Sequence, residues 1–173
     1  SSKATKFSIT FMTKLHTNPE RTTALGMARY GYDFLEAAFA VDKAVGRNEG
    51  YEVVAPIPVL YLVGHGIELS LKSYLLQHGF TLAELKTLGH NLSACFDRAE
   101  QYGLAKSVSF DEHEMGAFRV LDDLYSTKQL EYIVTGAKQF PMFGPLQLFA
   151  VKLFNVVADM VGFRKHFEGL VKA

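Results

Sequence analysis

The amino-acid sequence predicts an all-α fold: a single bundle of up-and-down antiparallel helices forming one domain over residues 1–173, with residues 1–18 as an irregular arm. Three observations predict it. Helix-start signals and glycine stops alternate along the chain at helix-length intervals. Apolar residues recur at helical rather than alternating spacing. No run of strands alternates with helices, as a parallel sheet requires. The length of 173 residues suits one domain, and 49% hydrophobic with 21% charged residues excludes wholesale disorder.

In chain order, Asn18-Pro19-Glu20 reads as a helix start, with Asn as cap, Pro at the first helical position and an acid in the first turn. The helix should run to about Val45, where GRNEG stops it; Gly26 and Gly31 lower its propensity but let a neighbour approach closely. Pro56 and Pro58 open a second helix and Gly79 closes it. Thr81 to Glu84 has capping-box spacing for a short helix ending at Gly89. His90-Asn91 starts the next, which stops at Gly103. Ser109 or Asp111 caps a further long helix through about Tyr125, with acids in its first turn where the macrodipole favours them. Residues 126–145, with EYIVTG and two prolines, read as an irregular connection. Pro145 opens the last helix, to about His166.

The second helix carries the chemistry. VLYLVGHGIELSLKSYLL, residues 59–76, is apolar almost all round, the signature of an interior helix. At about 100° per residue, Tyr61, His65, Glu68 and Lys72 fall within roughly 60° of each other. Ionisable groups in an interior must be paired or pay several kcal/mol of desolvation. Two readings follow. In one, Lys72 binds an anion and His65 moves protons in a polar pocket. In the other, the stripe is a satisfied network that fixes helix register, with Glu68 four residues before Lys72 in the favoured orientation. His90 either helps to cap its helix or reaches back to Glu68. Thus Tyr61, His65, Glu68, Lys72 and His90 are the candidate binding residues, and the last four are the candidates for catalysis. Neither helix has a His-x-x-x-His or Glu-x-x-His pair, so no metal site is expected from His65, Glu68 and His90.

Other polar groups have ordinary readings. Asp111 to Glu114 form a solvated first turn, Asp122 and Asp123 make surface pairs one turn past Arg119, and Lys152, Asn155 and Asp159 form a narrow polar face that is either solvated or faces the stripe across a cleft. Gly64-x-Gly66 lies inside a helix and serves packing. No phosphate-binding loop, nucleophile elbow or metalloprotease motif is present, and no cofactor is expected.

Net charge is zero, so the broad basic field of a nucleic-acid-coating protein is absent, although a local basic patch is compatible with it. The lone Cys95, in LSACF, is an inert buried thiol and forms no disulfide framework. SSKATK is not a signal-peptide start, and ionised residues interrupt both long apolar runs, 59–76 and 146–163. The expectation is a cytoplasmic protein with no membrane contact.

The segment from Gly64 to Leu104 resembles the central part of HEPN-type helical domains, through Ile67-Glu68-Leu69, Leu71-Lys72, Gly79 and Gly89-His90-Asn91-Leu92. The likeness covers about residues 57–104 well and 118–134 loosely, where LDDLYSTKQLEYIV resembles a stretch ending in an Arg-Tyr pair. The resemblance implies a small helical bundle, often dimeric, in prokaryotic toxin–antitoxin or defence systems. Many such proteins are metal-independent RNases with an Arg followed a few residues later by a His on one late helix. None of Arg21, Arg29, Arg47, Arg98, Arg119 or Arg164 has such a His, Arg164 and His166 being too close, and Glu131-Tyr132 stands where the Arg-Tyr pair would be. The expected function is therefore a non-catalytic binding or regulatory module that takes RNA, a nucleotide, or a nucleotidyltransferase-type or antitoxin partner. The competing expectation is a divergent RNase or nucleotide-acting enzyme built on His65, Glu68, Lys72 and His90. The last helix carries more apolar surface than one bundle easily covers, so a homodimer through that helix, with the first long helix beside it, is expected, the alternative being that the N-terminal arm covers it within one chain.

Overall fold

The computed structural model describes Asn18 and residues 21–168, and among these it contains six α-helices and no strand. They are α1 (Ala24–Val45), α2 (Ile57–Gln77), α3 (Leu82–Thr87), α4 (Leu92–Gln101), α5 (Glu112–Ser126) and α6 (Phe143–Val161), and a 3-10 turn at Leu104–Lys106 follows α4. The all-α bundle is as the sequence predicts.

Local chemistry sets most boundaries. Thr81 and Asp111 each form a complete capping box, with Glu84 and Glu114 respectively, and Asn91 caps α4 by accepting from Ala94 N at 2.8 Å. Pro56 precedes α2, and Gly79 and Gly103 leave their helices at positive φ, which a side chain would strain. Two boundaries differ from expectation. The first helix starts at Ala24 with Thr23 as cap, not near Pro19; Pro19, Glu20 and residues 1–17 of the expected arm lie outside the described residues. Thr23 competes successfully because its hydroxyl accepts from Gly26 N at 3.0 Å. The last helix ends at Val161, because Gly162 turns left-handed at φ +76°, and not at His166.

The centre of the bundle is α2, which packs against α1, α6, α4 and α5. Its glycines decide how close those neighbours come. A Cβ on Gly66 would stand 2.6 Å from the Leu35 side chain, and a Cβ on Gly64 would stand 2.5 Å from the Tyr125 ring. Gly31 faces Gly66 from α1, so the two helices meet backbone to backbone there. Ser73 then ties α2 to the start of α1 by donating to the Ala24 carbonyl at 2.7 Å. Below this, Phe96, Phe110, Phe118 and Phe149 join α4, α5 and α6 through ring contacts, the closest pairs having centroids 4.3 and 4.4 Å apart.

α6 is long and apolar enough to cross a membrane by composition, but Leu146, Phe149, Leu153, Phe154 and Val157 are fully buried against the other helices. Val151 and Phe154 belong to the core of the single chain, so the uncovered apolar face from which a dimer through this helix was expected is not there. Its cover is the segment after Gly162. Phe167 stacks on Tyr32 at 4.8 Å and contacts Phe154 and Phe39, while Asn155 exchanges two hydrogen bonds with the Phe167 backbone. His166 lies 2.7 Å from Asp159. Of the polar face of α6, Asn155 and the exposed Asp159 thus fasten this tail, while Lys152 turns to Glu114 at the start of α5.

The close contacts make opposite predictions for glycines that look alike in sequence. Gly→Ala in an exposed helix interior stabilises by up to about 1 kcal/mol, and that is expected for Gly116, whose Cβ would meet nothing within 4 Å. For Gly66→Ala the added methyl collides with Leu35, and a loss of about 1–3 kcal/mol is expected. Thermal melting of the two variants should move in opposite directions.

Candidate functional site

Glu68 is 3% exposed and sits mid-way along α2, where only protein groups can solvate it. Its Oε1 accepts from Lys72 Nζ at 2.6 Å. Its Oε2 accepts from Tyr125 Oη at 2.6 Å and from His90 Nδ1 at 3.0 Å. His65 Nδ1 stands 2.9 Å from Tyr125 Oη and 3.8 Å from Glu68 Oε2. Lys72 also donates to the Gly89 carbonyl at 2.7 Å, and Gly89 is in the left-handed region at φ +56°. One carboxylate therefore joins α2, the turn before α4 and the end of α5.

The structure brings four of the five sequence-derived residues into this network. Tyr61 stays outside the hydrogen bonds and leans its ring on Tyr125 at 5.9 Å. His90 takes the reach-back role, and the cap of α4 falls to Asn91. Lys72 is committed to Glu68 and Gly89 rather than presented to an external anion.

Sequence reading missed Tyr125, which donates to Glu68 over the same 2.6 Å as Lys72. Its only signal is the apolar series Phe118, Leu121, Leu124, Tyr125, which marks the inward face of α5 and gives no sign of a hydrogen-bonding role. Asp122 is also corrected: instead of pairing on the surface it accepts from Leu92 N at 2.9 Å and from the Ser93 and Ser126 hydroxyls, pinning the start of α4 to α5. Glu114 is not solvated. It is 2% exposed, closes the Asp111 capping box and meets Lys152 at 2.7 Å. Cys95 is buried, and burial pushes its thiol up to about 12, which makes it unreactive.

The electrostatics follow from the donor set. Burial alone would raise the Glu68 pKa, but the donors His65, His90, Lys72 and Tyr125 outweigh it and hold the carboxyl well below the ordinary range. Burial, and then the bond to Glu68, raise the Tyr125 phenol, so it stays protonated. That fixes the direction of each proton. Tyr125 has one hydrogen and gives it to Glu68, so its oxygen accepts from His65 Nδ1–H. An ionised carboxylate only accepts, so His90 also donates from Nδ1. With neutral rings, both imidazoles are held as the Nδ1–H tautomer, and each Nε2 keeps its lone pair. The His65 side chain is 27% exposed and that of His90 56%, so both rings are partly accessible to solvent. Among the described residues no group of three His, Cys, Asp or Glu is arranged to hold a metal ion.

No family model, no curated protein and no solved structure matches this chain.

A pH prediction follows with its sign. In the unfolded chain Glu68 titrates near the ordinary value of about 4.3. Its folded pKa is lower, so its contribution is fully present above that value and is lost as pH falls below it. Glu68→Gln keeps the shape but removes the charge opposite Lys72. A loss of about 3 kcal/mol is expected at pH 7, shrinking steadily below pH ~4. Denaturant titrations of both proteins at pH 7 and pH 3 measure it; an equal gap at the two values would contradict the assignment.

Proposed function

We propose that this chain is a HEPN-like binding or regulatory module rather than a hydrolase. It works as a cytoplasmic homodimer in a prokaryotic toxin–antitoxin or defence setting, where it takes RNA, a nucleotide, or a nucleotidyltransferase-type or antitoxin partner protein. The observation that carries this is the closed bonding of Glu68. Both oxygens are taken by Lys72, Tyr125 and His90, and Lys72 spends further donor capacity on the Gly89 carbonyl. A charge already neutralised inside the fold supports a structural role for the stripe, which leaves recognition to the surface. With α6 buried, the apolar surface that supports a two-fold contact is the connection at Tyr132, Ile133 and Val134, where Ile133 is 99% exposed.

One observation favours the competing enzyme. His65 and His90 are both held through Nδ1 by the same buried groups and both side chains are partly exposed, an arrangement suited to a general base and acid acting on one phosphodiester. The experiment is therefore incubation of purified protein with a mixed RNA pool without added metal. Intact RNA is expected, together with a dimer mass in light scattering. Cleavage that disappears in both His65→Ala and His90→Ala would replace the binding module by the enzyme.

A further inference from the structure

Two adjoining grooves flank the start of α1, far in character from the Glu68 network. One is lined by Arg21, Arg29 and Tyr30, the other by Arg29, Arg164 and Lys165, and Thr23 and Gly26 belong to both. We propose that together they form a track for a single-stranded polynucleotide, held through its phosphates. The proposal deepens the binding-module reading and rests on it only for the absence of cleavage.

Charge is the first argument. Arg21, Arg29, Arg164 and Lys165 are all exposed, and among the described residues no carboxylate lines either groove. Among the described residues none of the four forms an ion pair, which they share with most exposed cations of the chain; what sets them apart is that they gather along two adjoining grooves. Lys165 lies over the Tyr32 ring, 5.0 Å from its centroid. The chain is neutral overall, so this concentration of cations is local. The first turn of α1 also has no acidic residue, unlike α3 and α5, so nothing of its own offsets the positive field there.

Shape and surface chemistry choose the ligand. Three of the four cations are arginines, whose planar forks match phosphate oxygens. They are spread over two connected grooves rather than gathered at one point, which suits successive phosphates of a strand better than one small anion. Tyr30 is 64% exposed beside Arg29, and Leu25 is 46% exposed in the second groove. An aromatic face next to a cationic track is how single strands are held without sequence readout, each stacked base contributing about 1–3 kcal/mol. An acidic protein segment would satisfy the cations and leave the Tyr30 ring unused.

The test is fluorescence anisotropy of the full chain with labelled oligo(U) and oligo(dT) of about twelve nucleotides. Four neutralised phosphates predict a log–log salt slope of about −2.8 for a single strand, or roughly fiftyfold weakening between 50 and 200 mM salt. Arg29→Gln with Arg164→Gln leaves two, and the same salt step should then weaken binding only about sevenfold. Tyr30→Ala should cost at least about fivefold in affinity. All three side chains are exposed, and circular dichroism verifies folding. Binding of either oligonucleotide with these responses supports the track, and a preference for oligo(U) over oligo(dT) would report contacts to the ribose. No binding at 50 mM salt, or unchanged affinity and slope in the double variant, would overturn it. Displacement by a polyglutamate peptide as effectively as by unlabelled oligonucleotide would also overturn it, and would assign the groove to an acidic protein. Bound oligo(U) that is cut would leave the track standing and remove the non-catalytic reading; unbound, intact oligo(U) would do the reverse.

Discussion

A carboxylate at 3% exposure can exist in this fold only because four side chains and a tight turn converge on it. Glu68 sits where α2 is otherwise Leu, Ile, Val, Gly and Ser, and removing it from water carries a cost that no single ion pair offsets. The surrounding structure supplies the missing hydration shell. Lys72 comes from the same helix, Tyr125 from the end of α5, and His90 from the turn that Asp122 holds in place. Gly64 lets the Tyr125 ring lie against α2 closely enough for its hydroxyl to reach the carboxylate. Polar satisfaction and apolar packing are therefore one constraint here: the glycine that admits the ring also positions the donor.

Much of this was legible in the sequence, and the failures have physical causes. Caps and glycine stops act within a turn, so α2 to α5 were placed closely. The stripe was legible because charge on an apolar helix face has few explanations. Tyr125 was not, because it lies 57 residues from Glu68 in sequence and its own helix shows only an amphipathic period. Glu114 was read as solvated and Asp122 as a surface pair because both sit among other charges. Tertiary contact decided otherwise, giving Asp122 the start of α4 and Glu114 the cation of Lys152. The end of α6 was misplaced because Phe163 and Phe167 continue an apolar pattern after Gly162 has already broken the helix. Those two rings then cover the surface that suggested a dimer face.

The same distinction between average and local governs the functional reading. Net charge reports only a sum, and a sum of zero hid four exposed cations gathered around the start of α1. Conversely, the most conspicuous polar residues of the sequence are the ones turned inward to one another. A cluster of His, Glu and Lys resembles a catalytic site in composition. Here its internal hydrogen bonds use the capacity that a substrate would need, except at the outer edges of the two imidazoles.

Those edges give the most direct test of the network. Long-range proton–nitrogen correlation spectra of the imidazoles at pH 9, well above the ordinary titration of histidine, report which ring nitrogen carries the proton. His65 and His90 should both be protonated at Nδ1, with Nε2 bare, and both should lose that preference in Glu68→Gln. An Nε2–H tautomer at either ring in the unaltered protein would mean that the ring does not donate into the Glu68–Tyr125 pair, and the network described here would not be the one that holds the fold.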